Sequence, residues 1–121
     1  MAGTATATLR LKPFDVVVVP FPFTDRDSSK RRPALVLSSA DFNQASGHCV
    51  LAMITSADQS SWVGDAPISN LKAVGLPQPC LVRMKLFTLD QRLVVRIAGS
   101  LFKPEQKRLK ESWAALLPLA P

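Results

Sequence analysis

Four consecutive valines, Val16 to Val19, leave this chain few ways to fold. β-Branched side chains are stiff at χ1 and pack well on a pleated surface, and a run this short cannot cross a membrane. The run reads as a buried strand from Asp15 to Phe21, closed by Pro22, which has no N–H to give to a ladder. A second strand is expected from Ala34 to Ser39. Pro33 restarts the chain there, because the residue before a proline is biased away from helix. Between the strands lies the polar stretch Phe23 to Ser29, then three cations, Lys30, Arg31 and Arg32. Two water-excluding strands thus hold a polar, cationic loop still, an arrangement in which the loop does the work.

The rest of the chain continues in short elements. Ala40 to Gly47 has a turn composition, with Asp41, Asn43, Ser46 and Gly47. His48 to Thr55 reads as a third strand. A polar loop from Ser56 to Gly64 follows, with one aromatic, Trp62, and then a short edge strand from Ala66 to Ser69. Leu76-Pro77-Gln78-Pro79 is a break. Cys80 to Leu89 alternates most clearly. Cys80, Val82, Met84, Leu86 and Thr88 are expected to face the core, leaving Leu81, Arg83, Lys85 and Phe87 on a surface. Asp90 to Arg92 is a turn, and Leu93 to Leu101 a further strand. The last element is a helix with Pro104 at its first position and Glu105 in its first turn. Its apolar stripe is Leu109, Trp113, Leu116 and Leu117, and Pro118 ends it. The fold expected is mainly β with a C-terminal α-helix, a small, partly closed barrel over residues 13–121, preceded by a flexible segment, 1–12.

Composition narrows the function classes. With 121 residues, 47% of them hydrophobic, the chain can build a real core and is not a disordered tail. A net charge of +6 points to a polyanionic partner, nucleic acid ahead of an anionic membrane surface. The N-terminal MAGTATATLRLK lacks the apolar segment of a secretory signal, and no membrane span is expected. Cys49 and Cys80 sit in apolar runs and read as buried free thiols, which fits a reducing cytoplasm. The one histidine, His48, begins a strand and reads as structural. No metal-ligand spacing, Gly-rich phosphate loop or GxSxG occurs, so no metal or cofactor is expected and Ser-His-Asp chemistry has no support.

What remains is rich in arginine. Arg32, pinned between the loop and a strand start, would present a planar donor fork suited to a phosphate. Lys30 and Arg31 are freer, and either form a solvated charge run or attract a nucleic-acid backbone. Thr55 and Ser56 place hydroxyls at a strand end, where such groups often satisfy backbone instead. Trp62 either packs as a lid on the barrel or stacks on an exposed base, and Phe23 has the same two readings.

In order and spacing, DVVVVPFPF, KRRPALVLSS, AMITS, PCLVRMKLFTLD and RIAGSL resemble the MazF/PemK toxins of type II toxin–antitoxin systems. The resemblance covers nearly the whole chain after the N-terminal segment. It implies an SH3-like barrel, a homodimer, and a metal-independent endoribonuclease, or mRNA interferase, that cuts single-stranded RNA. It also implies a cognate antitoxin that blocks the RNA groove. Carried over by position, Arg32 and Thr55 match the catalytic arginine and threonine. Asp27 stands where some members have a glutamate. The expected RNA-binding set is Lys30, Arg31, Phe23, Ser56, Trp62, Arg83 and Lys85. The loop TDRDSSK and Lys85 depart from the common family pattern, so the recognised RNA sequence is expected to differ. The alternative is a non-catalytic protein of the same fold that binds nucleic acid or grips a protein such as gyrase.

Overall fold

The computed structural model describes residues 10–20, 30–58 and 61–119. Six strands form one antiparallel sheet: β1 (Asp15–Pro20), β2 (Arg31–Val36), β3 (His48–Ser56), β4 (Ala66–Ile68), β5 (Cys80–Asp90) and β6 (Arg96–Ser100). Their order is β4-β5-β3-β2-β1-β6, and the sheet curls into a half-barrel. Three helices accompany it: α1 (Ala40–Ser46), α2 (Leu71–Val74) and α3 (Lys103–Leu116).

The valine run forms β1 as expected, and both faces of it are covered. Val16 joins Leu35, Ala52, Ile54 and Val82 on one face, where Leu109 and Trp113 of α3 close over them. Val17 and Val19 join Ala34, Val36, Leu51, Met53, Phe87 and Leu89 on the other, filled in by Leu11 and Val94. Burying a Val or Leu side chain contributes about 1.5–3 kcal/mol, so each face is a substantial core.

This two-sided burial corrects the reading of β5. The even set from Cys80 to Leu86 does face the α3 side, but Phe87 is buried in the opposite core and Thr88 is exposed. Arg83 is only 8% exposed, not a surface cation. Alternation assigns one dry and one wet face, whereas a curled sheet dries parts of both.

Several boundaries also move. β2 begins at Arg31, inside the basic run, and ends at Val36. The stretch Ala40–Ser46 is a helix, not a turn. The Ser39 hydroxyl caps it by accepting from the Phe42 N–H, and Gly47 ends it at φ +73°, a left-handed conformation that glycine adopts without strain. Asn43, which looked like a turn residue, is buried and donates to the carbonyls of Leu11 and Ser38. α2 was not expected: Asn70 caps it and Gly75 ends it. Gln91–Leu93 makes one 3₁₀ turn, so β6 starts at Arg96 and not at Leu93. Pro104 takes the second helical position behind Lys103. In α3, Leu109 and Trp113 are buried but Leu116 and Leu117 are about 40% exposed, so the stripe is narrower than its spacing suggested. Glu105 is buried in the first turn of α3, where it accepts from the N–H and hydroxyl of Ser69 and ties the helix to the end of β4.

Candidate functional site

The β2–β3 register builds the site. Ala34 pairs with Met53, Leu35 with Ala52 and Val36 with Leu51. Carried two residues further, the same register sets Arg32 opposite Thr55. Side chains of directly opposed residues stand about 5 Å apart at their Cβ atoms. Both point to the Met53 face of the sheet. Arg32 is also held from its other side, where it pairs with Val19 of β1.

The third contributor is a bulge in β5. Ala52 pairs with Leu86 and Ile54 with Val82, so Arg83, Met84 and Lys85 together stand opposite the single residue Met53. Extra residues in one strand bend it and re-aim its side chains. Here they turn Arg83 and Lys85 toward Arg32 and Thr55.

These residues line one cavity of about 470 Å³. Its walls are Arg32 and Pro33 from β2, Met53 to Ser56 from β3, Arg83 and Lys85 from β5, and the segment Leu76 to Cys80. Three cations therefore share the lining, and among the described residues no carboxylate does. The Thr55 hydroxyl makes no hydrogen bond among the described residues, and half-buried Lys85 has no ion-pair partner there. Ser56 is different: its hydroxyl donates to the Asp58 carboxylate, so it is already engaged. A concave surface with a guanidinium, an ammonium and an unengaged hydroxyl is suited to a phosphodiester.

Five of the expected residues thus come together: Arg32, Thr55, Ser56, Arg83 and Lys85. Trp62 sits beside them, its ring centroid 5.0 Å from the Arg83 guanidinium carbon. Lys30 and Arg31 are exposed at the start of β2 and do not line the cavity. Phe23 and Asp27 lie outside the described residues. His48 is exposed, with Nδ1 3.0 Å from the Ser46 carbonyl oxygen.

Two contributors went unnoticed in the sequence. One is the wall Pro77-Gln78-Pro79, read only as a break. Its two prolines fix φ and present no N–H, and the Pro79 carbonyl accepts from the Ala57 N–H at 3.1 Å, fastening the wall to the end of β3. Proline on both sides of a glutamine, just before the best strand, was the available signal. The other is Asp65, which pairs with Arg83 at 3.0 Å. The Arg83 guanidinium, by hydrogen bonding, holds the Asp65 carboxyl below its ordinary value. Cys80 closes the cavity floor as a neutral thiol, its pKa pushed up by burial and then by the charge of Glu105.

A cation-lined cleft on a curled antiparallel sheet, with one long helix behind it, is the type of molecule seen here. A family model described as a PemK-like, MazF-like toxin of type II toxin-antitoxin systems matches residues 12–117, and the chain belongs to that family. The crystal structure of MazF from Deinococcus radiodurans superposes with a TM-score of 0.71 over 93% of this chain and 100% of that one, at 19% identity. The Mycobacterium tuberculosis toxin MazF-mt6 gives 0.67 over 88% and 99%, at 21% identity. An endoribonuclease in complex with its cognate antitoxin, from a mycobacterial species, gives 0.69 over 94% and 99%, at 12% identity. No curated protein sequence matches this chain.

Proposed function

We propose that this toxin is a cytoplasmic, metal-independent endoribonuclease that cuts single-stranded RNA. The observation that carries the reading is the convergence of Arg32 and Thr55, from adjacent strands, on a cavity lined by cations. An RNA strand brings its own nucleophile. Its 2′-oxygen attacks the adjacent phosphorus, the bond to the 5′-oxygen breaks, and the products are a 2′,3′-cyclic phosphate and a 5′-hydroxyl. The enzyme must align the attack, neutralise the charge on the phosphorane-like transition state, take the 2′-hydroxyl proton and protonate the leaving oxygen.

Arg32 neutralises that charge with a planar fork fixed by its strand. Thr55 donates its hydroxyl to a phosphate oxygen and orients the group. The 2′-hydroxyl proton goes to a base, for which Asp27, in the loop before Arg32, is the candidate, and the leaving 5′-oxygen takes its proton from water in the cleft. Lys85 adds charge in the cleft, while Lys30 and Arg31 draw the RNA backbone toward it.

Purified protein incubated in EDTA with a long single-stranded RNA should give discrete fragments. Intact RNA at high protein concentration would count against the reading. It would favour a gripping toxin of the gyrase-directed kind.

Two partners follow from the family. A cognate antitoxin is expected to cover the cleft, since a cell that keeps such an RNase must block it. A second copy of the chain is expected too. Leu109 and Trp113 of α3 are spent against the sheet, but Leu93 and Val95, just before β6, and Ile97 within it are exposed at the sheet edge. Equilibrium sedimentation should return the mass of two chains; monomer alone at micromolar concentration contradicts the dimer.

A further inference from the structure

Arg83 lines the cavity, yet its charge is already engaged. Its Nε donates to Asp65 Oδ1 at 3.1 Å and its Nη2 to Asp65 Oδ2 at 3.0 Å, a two-point pairing of fork and carboxylate. The same carboxylate also organises the loop that carries Trp62. Asp65 Oδ2 accepts from the Trp62 backbone N–H at 2.8 Å, and the Asp65 N–H donates to the Trp62 carbonyl at 3.2 Å. A second anchor holds the loop from behind: Trp113 Nε1 of α3 donates to the Gly64 carbonyl at 2.8 Å.

The outcome is an unusual surface tryptophan. Its indole lies over the buried Arg83 guanidinium, 5.0 Å from centroid to Cζ, while Trp62 as a whole remains 45% exposed. A large aromatic on a surface loop would ordinarily sample several rotamers. Here a stacked cation fixes the ring, and a carboxylate fixes both the cation and the loop. Half of this apparatus is hidden from water, and the part left open is an aromatic surface beside a phosphate-binding cleft. Bases of a single strand are unstacked, and an aromatic surface takes any of them because every base has a π-face.

We infer that Asp65 and Arg83 are positioning residues that hold Trp62 as a stacking platform for an unpaired base of the strand in the cleft. The inference rests on the RNase reading and changes the part given to Arg83. Arg83 backs the platform; Lys85, not Arg83, meets the phosphate.

The chain has two tryptophans, and Trp113 is buried away from a bound base, so the change in intrinsic fluorescence on binding reports Trp62. The probe is a short 2′-O-methyl RNA of mixed sequence, which lacks the nucleophile and stays intact. Binding should quench wild-type emission. Trp62→Ala should weaken binding roughly ten-fold or more, whereas Trp62→Phe should retain most of the affinity and lose the quench. With unmodified RNA, Asp65→Asn should act on KM rather than kcat. Salt separates the two roles of a cation. Lys85→Gln should flatten the slope of log Kd against log salt by about 0.7, the share of one phosphate contact on a single strand, and Arg83→Gln should leave the slope unchanged.

Binding by Trp62→Ala equal to that of the wild type overturns the platform, as does an Arg83→Gln slope that flattens like that of Lys85→Gln. Trp62 is exposed, so its variants test the inference even if the Asp65 and Arg83 variants fold poorly. A wild-type protein that neither binds nor cuts single-stranded RNA overturns the RNase reading and the platform together. Cleavage with an indifferent Trp62 overturns the platform alone.

Discussion

Arg32→Ala is expected to lower RNA cleavage by at least about 100-fold in kcat/KM while the protein stays folded. Removing one preorganised donor that faces developing charge typically costs a factor of about 100–1,000. Arg32 is only partly buried, and its backbone belongs to the β1–β2 ladder whatever the side chain, so stability should change by less than about 1 kcal/mol. Arg32→Lys is the sharper variant. It keeps the charge but loses the planar fork, so it should recover only a minor part of the lost rate. Cleavage of an end-labelled RNA, beside a thermal melt of each variant, checks both halves. Full activity in Arg32→Ala would move the chemistry elsewhere.

A large loss of stability is expected from Gly99→Ala, outside the cation-lined cleft. A Cβ at Gly99 would lie 2.2 Å from the Ala73 carbonyl oxygen and 3.0 Å from Val74 backbone atoms. The obstacle is the backbone of α2, which cannot swing aside as a long side chain would. Overpacking of this kind costs about 2–3 kcal/mol, a fall in Tm of roughly 10 °C. Gly47→Ala is the control. Nothing lies within 4 Å of its new methyl, and only the left-handed backbone is strained, so it should cost about 1 kcal/mol. Gly99 also bears on function. α2 leads directly into Leu76 to Pro79, the cavity wall, so a displaced α2 should lower cleavage as well as stability. Wild-type melting by Gly99→Ala would mean that α2 is held more loosely than its packing on β6 implies.

The strands were legible because their physics is local. Val16 to Val19 can do little but pair on both sides, and Cys80 to Leu89 carries a period of two. Arg32 was legible as a candidate through its place beside a strand-starting proline, and Thr55 through the family resemblance, since a strand-end hydroxyl alone reads as a partner for backbone. Their opposition across β2 and β3 was not, since it depends on a register that only the paired sheet sets. The Ala40–Ser46 helix was hidden by its own composition. Asp41, Asn43 and Ser46 favour turns until Ser39 caps the first turn and Asn43 finds buried carbonyls to serve. α2 has four residues and is too short to show a helical period. The burial of Phe87 and Arg83 came from curl, which alternation along a single strand cannot reveal. Asp65 stood in a polar loop with nothing in the sequence to link it to Arg83, eighteen residues later.

The central claim is that the Arg32–Thr55 cleft directs a 2′-oxygen onto its own phosphodiester. Mapping the cleavage sites on one defined single-stranded RNA in EDTA, with the chemistry of both new ends determined, tests it most directly. The account predicts a small set of fixed sites, each with a 2′,3′-cyclic phosphate upstream and a 5′-hydroxyl downstream, all absent with Arg32→Ala. Ends bearing a 5′-phosphate, cleavage that requires an added divalent ion, or the same sites cut equally well by Arg32→Ala would contradict it.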